Sequence, residues 1–280
     1  KALYLQPNSY SINLILGDIY SDQRLYEKAS IHYINSISLN ENSFEPYWFL
    51  ILMLQSQNKI DTAIKWARVA VTKVPDDYET HYSLGSLLNT ASYYVEAEKH
   101  LKKSLDLYPS SELTLRMLGF NLSNQGLNRL AIEKLKEAIK INTSSKICHS
   151  GLLFHLNYSP DLSAEKIFEY YKRYDAKYGK EVKPQWSSFK GAQVQNKRIK
   201  IGYISPNFSE HSIGHFLEPV LAHHDHKKFE VFAFAENLKK DTFTQKYQNY
   251  VDHWIPTEEL NDQDMASKIH ELGIDILIDL

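Results

Sequence analysis

Cysteine is nearly missing from this sequence: Cys148 stands alone among 280 residues. That excludes an internal disulfide framework. We expect a reducing, cytoplasmic setting in which Cys148 packs as a small buried hydrophobe. A surplus of one charge sign is missing too. The 32 basic and 34 acidic residues leave a formal net charge of -2, which gives no reason to expect nucleic acid or an anionic membrane as partner. Long apolar runs are absent, and the longest, Tyr47 to Leu54, falls far short of a bilayer span. The chain starts at Lys1 without an initiator Met or a signal-peptide pattern, so we expect further sequence upstream. Also missing are the G-x-G-x-x-G fingerprint and the P-loop, so no motif supports dinucleotide or ATP binding.

What is present is a period. Ala29, Ala63, Ala97 and Ala131 recur every 34 residues, and Leu16-Gly17, Leu84-Gly85 and Leu118-Gly119 share the register, with Leu50-Ile51 in the remaining slot. Pro7, Pro75 and Pro109 fall in phase. This is the tetratricopeptide (TPR) pattern of two antiparallel helices per unit, with small residues where the helices cross. Four units fit at 10–43, 44–77, 78–111 and 112–145. Residues 1–9 read as the tail of an earlier unit, so the array, 1–145, starts mid-unit. Stacked helix pairs create an extended concave face, and we expect it to bind a peptide or protein; the alternative is a spacer or dimerisation arm. A basic clamp for a peptide carboxylate is not expected, because the slots tested for it hold Asn13, Tyr47, His81 and Leu115. Nor is an asparagine ladder, because its slots hold Ile15, Phe49, Ser83 and Met117.

Residues 146–197 read as a helical connector: a helix, a turn at Ser159-Pro160-Asp161, and a second helix capped by Ser163 and ended by Gly179. Residues 180–197, with Pro184 and Gly191, read as a linker. His149, His155 and Asn157 are assigned no chemistry. From 198 onward the period changes. Strands are predicted at 199–205, 229–235, 253–255 and 274–280, with helices near 213–224, 241–251 and 262–272. That alternation predicts a parallel sheet covered on both faces, a Rossmann-like lobe over 198–280. The fold class is therefore an α-solenoid followed by an α/β lobe, with more sheet expected after Leu280.

In open parallel sheets ligands sit at the C-terminal ends of strands. The stretch IGYISPNFSEHSIGHF, 201–216, is such an end, with Pro206 breaking the strand and His211 and His215 four residues apart. Zinc is the first chemistry that spacing suggests. No Glu follows the first His and no third ligand is evident, so no metal is expected. His215 and the run His223-His224-Asp225-His226 also read as a helix-start histidine and a solvated turn. Asp279, at another strand end, is suited to a sugar hydroxyl or to capping the next turn.

With repeats, connector and lobe in this order, the chain resembles the O-linked N-acetylglucosamine transferase family, which includes bacterial members and SPINDLY-type O-fucosyltransferases. The residues that carry the resemblance are RIKIGYISPNFSEHSIGHFLEPVLAHHD (198–225), KFEVFAFA (228–235), KIHELGIDILIDL (268–280) and GLLFHLNYSPDLSAEKIF (151–168). The resemblance implies the first lobe of a two-lobed GT-B glycosyltransferase. It implies inverting, metal-independent transfer of a sugar from a nucleotide sugar, UDP-N-acetylglucosamine foremost, to Ser or Thr of protein acceptors held by the repeats. It implies no cofactor, and homodimerisation through the repeats is a further expectation. His211 matches the family's active-site histidine, as general base or as a donor or acceptor contact. Asn207, His215 and Asp279 are the accompanying substrate-binding candidates. Many relatives carry Asp at the position of Asn207, and an amide cannot act as a base there. The second lobe's residues have no counterpart, so these residues alone are expected to be inactive.

Overall fold

The computed structural model describes residues 9–179, 198–236 and 241–280. The earlier-unit tail and the 180–197 linker therefore lie outside the described residues, apart from Ser9. The chain divides into two compact units, Lys1–Trp186 and Ser187–Leu280.

The first unit opens with four helical hairpins: α1 (Tyr10–Asp22) with α2 (Tyr26–Leu39), α3 (Glu45–Ser56) with α4 (Ile60–Lys73), α5 (Tyr78–Thr90) with α6 (Tyr94–Leu107), and α7 (Glu112–Asn124) with α8 (Asn128–Ile141). The four periodic alanines are fully buried. A Cβ on Gly85 would lie 2.8 Å from Leu101 Cγ, and one on Gly119 would lie 3.0 Å from Leu135 Cγ. In the first hairpin the same slot pairs Gly17 with Tyr33. In the second hairpin the sizes are exchanged: Ile51 fills the glycine slot, the large slot holds Ala67, and both are fully buried. The departure at Ile51 is thus compensated in volume across the hairpin, the kind of exchange cores tolerate.

Local signals set where these helices start and turn. Ser9, Asp77 and Ser111 cap first helices through their side-chain oxygens, supplying acceptors to N–H groups that lack a partner in the helix. Each hairpin then turns through one left-handed residue at an equivalent position: Arg24, Asn58, Ser92 and Gly126. Only the last is a glycine, so three turns hold a side chain in a conformation that costs most residues free energy.

The array's packing continues past 145. Ser145 caps α9 (Lys146–Leu156), which packs on α8 through Leu135, Leu152, Leu153 and Leu156. Ser163 caps α10 (Ala164–Tyr174), which ends in a π-helical turn, Asp175–Gly179. His155 is buried, beside Ser123. Cys148 is buried, but it is more than a small hydrophobe. Its thiol donates to Glu112 Oε1 at 2.8 Å. Burial and that carboxylate push its pKa up to about 11, so it is a poor nucleophile at neutral pH.

The second unit is a four-stranded sheet: β1 (Ile199–Ser205), β2 (Phe229–Ala235), β3 (His253–Pro256) and β4 (Ile276–Asp279). Every pairing is parallel, in the order β3-β2-β1-β4. Helices α11 (Ser212–Ala222) and α12 (Thr242–Tyr250) cover one face around Leu217, Leu221 and Tyr247. Helix α13 (Asp262–Leu272) covers the other around Met265. The chain moves outward from β1 to β3 on one face and returns to β4 on the other, as right-handed crossovers require. Pro256 is tolerated because β3 lies at an edge of the sheet. The first two strands match the expected ones; the last is shorter, with the ladder beginning at Ile276.

Candidate functional site at the head of the sheet

Strand order reverses between β1 and β4, and the crevice at such a point is where open α/β sheets bind ligands. Ser205 ends β1 there, fully buried. Its hydroxyl donates to Leu280 O at 3.3 Å and accepts the Asn207 N–H at 3.1 Å. The Leu280 N–H in turn donates to Ile204 O at 3.1 Å, and Asp279 is the register partner of Ile204. One buried hydroxyl therefore ties the backbones of Asn207 and Leu280, and Leu280 directly follows Asp279 at the end of β4.

The β1–α11 loop is tied down at two points. Phe208 is fully buried, with edge contacts to Tyr247 and Trp254, and its carbonyl accepts the Thr244 hydroxyl at 2.8 Å. Asp241 accepts the Glu210 N–H at 2.9 Å and closes a capping box with Thr244 at the start of α12. These backbone donors, Glu210 first, hold the Asp241 carboxyl below its ordinary pKa.

His211 is the N-cap of α11, exposed, with Nδ1 accepting the Ile213 N–H at 3.3 Å. An imidazole whose Nδ1 accepts carries its neutral-state hydrogen on Nε2. In this geometry the ring therefore offers solvent a donor. His215 lies one turn further along α11, also exposed. Gly214 does not keep the helix from forming here. A Cβ there would lie 2.4 Å from Tyr247 Oη, so glycine lets α12 approach α11 closely. Among the described residues no group of three or more His, Cys, Asp and Glu is placed to hold a metal.

The histidine run after α11 is not simply solvated. His224 is half-buried, 2.8 Å from Tyr203 Oη, and burial, with nearby His226, lowers its pKa. His226 pairs with Asp252 at 3.0 Å. Ser205, Phe208, Asp241 and Thr244 were not singled out from sequence. An Asp three residues before a Thr at a helix start is a legible cap; that the same Asp also holds a loop 31 residues away is not.

An α-solenoid and a Rossmann-like lobe with its crevice at the β1–β4 reversal define a repeat-armed α/β protein, and comparison with known proteins narrows the class. Residues 180–280 match the model of glycosyl transferase family 41. The chain is 30% identical over 145 residues to the Arabidopsis thaliana protein described as probable UDP-N-acetylglucosamine–peptide N-acetylglucosaminyltransferase SPINDLY, covering 50% of this chain and 16% of that one. The tomato (Solanum lycopersicum) protein of the same description is 27% identical over 146 residues, covering 51% and 16%. Among solved structures, a mutant of the O-GlcNAc transferase of Thermobaculum terrenum superposes with a TM-score of 0.68 at 24% identity, covering 82% of this chain and 44% of that one. MamA superposes at 0.55 with 18% identity, covering 64% and 96%; at these identities both show the fold alone. The chain is thus similar to glycosyl transferase family 41 over 180–280 and to the SPINDLY proteins over about half its length, and the matched stretch spans about one sixth of the length of these curated relatives.

Proposed function

We propose that this chain is the acceptor-binding arm and part of the first catalytic lobe of a protein O-glycosyltransferase. The reaction is transfer of N-acetylglucosamine from UDP-N-acetylglucosamine to Ser or Thr hydroxyls, with inversion and without a metal. The observation that supports it most directly is the crevice: Ser205, Asn207 and Asp279 meet at the strand-order reversal, under a pinned loop that ends at His211. In this reading the His211 Nε2–H donates to a phosphate or sugar oxygen of the donor. A contact of that kind fits the cap geometry better than a general base does, since a base at Nε2 would require the Nδ1 acceptor to be given up. Asn207, Asp279 and His215 supply further hydrogen bonds to the sugar nucleotide. A cytoplasmic setting suits the single inert thiol, and pairing of two copies through the arrays is testable by sedimentation.

The test is nucleotide-sugar hydrolysis by the complete protein. We expect His211→Ala to lower kcat/KM by on the order of 10- to 100-fold, the worth of a hydrogen bond to a charged group. A donor contact shows mainly as a raised donor KM, whereas a base would remove the acidic limb of the pH profile. Unchanged turnover would take His211 out of the mechanism. Competition by uridine against guanosine diphosphate separates N-acetylglucosamine transfer from the fucosyl alternative. Absence of turnover with any nucleotide sugar would leave a binding scaffold.

A further inference from the structure

Helices α8, α9 and α10 enclose a cavity of about 420 Å³ whose charged side chains are all of one sign. Each helix turns one face toward it. Helix α8 contributes Lys136, Ile139 and Lys140, and α9 contributes His149, Leu152 and Leu153. Helix α10 with its π-helical turn contributes Tyr170, Arg173, Tyr174 and Lys177. Positions i, i+3, i+4 and i+7 are those that share a helix face. The two leucines are buried and Ile139 is half-buried, so the floor is apolar; Lys136, Lys140, Arg173 and Lys177 are exposed around it. An apolar hollow of this size with a few polar groups at its rim suits a small organic molecule.

The convergence of charge is what distinguishes the cavity. The chain as a whole is balanced, with 32 basic and 34 acidic residues. Yet four cations ring this one hollow, and among the described residues no Asp or Glu lines it. Two of the cations gather on a single ring: Lys136 Nζ lies 5.9 Å and the Arg173 guanidinium 5.7 Å from the centre of Tyr170. Like charges held on one ring repel, and an anion between them turns that cost into attraction. Acids on the same two helices pair with other cations: Glu133 with Arg129, Glu137 with Lys134 and Glu169 with Lys172. Lys177 donates to Thr143 O, which also accepts the His149 Nε2–H at 3.0 Å. The ammonium of Lys177 has donors beyond that one. Helix α10 itself buries no residue completely. It rests on α8 and α9 through partly buried Ile167, Tyr170 and Tyr174, so a ligand that bridged the cations of α8 and α10 would tie it down.

We propose that this cavity binds a small soluble organic di- or triphosphate, its phosphates held by Lys136, Lys140, Arg173 and Lys177 and its aromatic or apolar body laid over Ile139, Leu152 and Leu153. Four cations exceed what a single carboxylate would balance, and a guanidinium fork beside ammonium point charges is a combination that holds phosphate. The site lies wholly within the first unit and does not depend on the glycosyltransferase reading. The test is isothermal titration of the full chain, in metal-free buffer of low ionic strength, with ATP as the probe and with adenosine and tripolyphosphate as its two halves. ATP should bind, adenosine about a hundredfold more weakly and tripolyphosphate about tenfold more weakly, and added salt should weaken ATP. Lys140→Gln with Arg173→Gln, at two exposed positions, should weaken ATP by about tenfold or more; His211→Ala, in the crevice of the lobe, should leave its affinity unchanged. Bound ATP should also slow hydrogen exchange in α10 and 175–179 of the parent and not of the double variant. Absence of ATP binding, or binding that survives the double change, overturns the proposal. Binding lost in His211→Ala and kept in the double variant would put the nucleotide in the crevice and overturn it as well. Tripolyphosphate equal to ATP would mean that the rim holds charge alone, and would overturn the role given to the apolar floor.

Discussion

Gly85 of the array and Gly214 of the lobe both let a neighbouring side chain reach a helix backbone, Leu101 in one case and the Tyr247 hydroxyl in the other. The contacts are alike and their settings are not. Around Gly85 the array offers other versions of the same joint, and Ile51 with Ala67 shows that the joint works with its sizes reversed. Around Gly214 there is no second copy. The glycine serves one helix approach, beneath one loop, beside one crevice. A repeat distributes its stability over equivalent joints and leaves its groove-facing slots free to vary. The lobe concentrates several roles on single residues, as with Asp241, which caps α12 and holds the loop at once.

The sharpest way to test that contrast is to reverse the reversed joint. Ile51→Gly alone removes a fully buried side chain and should cost at least the 2–5 kcal/mol or so of an Ile→Ala change. Adding Ala67→Leu rebuilds the pairing of Gly85 with Leu101 and should recover most of the loss. Urea titration of both variants gives the coupling directly. A double variant no more stable than the single would mean that the joint is not transferable and that the array is less modular than its period implies.

That period is also why so much of the first unit was legible. A slot seen four times marks the repeat length and the small residues where helices cross without any contact map. The strands of the lobe were legible from their apolar runs, since Ile199–Ser205 and Phe229–Ala235 pair along their full lengths. The head of the crevice was not. Asn207 and His211 could be placed on a strand-end loop, but that Leu280, next to Asp279, comes to share Ser205 with Asn207 depends on β4 pairing with β1, which local sequence does not encode. The left-handed turns were hidden for a different reason: Arg24 and Ser92 carry no sign of the backbone they adopt.

Loop anchoring offers the next test, on the lobe's side of the comparison. Thr244→Val keeps the shape and removes the hydroxyl that satisfies the buried Phe208 carbonyl. We expect a loss of about 1–3 kcal/mol, with faster hydrogen exchange concentrated in 206–211 and the array's exchange unchanged. Loss shared evenly by both units would mean that they do not respond separately. A smaller effect of the opposite sign is expected in the array. Arg24 is exposed at φ 59°, so Arg24→Gly should gain roughly 0.5–1 kcal/mol by relieving left-handed strain. Gly126→Ala, at φ 77°, should lose a similar amount, and thermal melts of the pair would show whether the two turns are equivalent.

Acidification should separate the units most gently. Burial lowers the pKa of His32 and His155 in the array, and lowers that of His100 with help from neighbouring His81. His100 also faces Glu96, which favours its charged form, and Arg68 and Lys99, which oppose it. In the lobe burial, with nearby His226, lowers the pKa of His224. A histidine whose folded pKa is depressed binds more protons when unfolded. Its stabilisation is therefore complete above the unfolded value of about 6.5 and is lost as pH falls below it. Three such groups in the array against one in the lobe predict that the array loosens first. Hydrogen exchange at about pH 7.5 and about pH 5.5, on either side of the free imidazole value and corrected for intrinsic rates, should show protection falling more in α5 and α6, around the His81–His100 contact at 3.1 Å, than in β1 and β2. His100→Gln, which cannot take up the proton, should flatten that dependence in the array and leave the lobe's unchanged. Equal losses in both units would mean that the buried histidines are not what couples the array to pH.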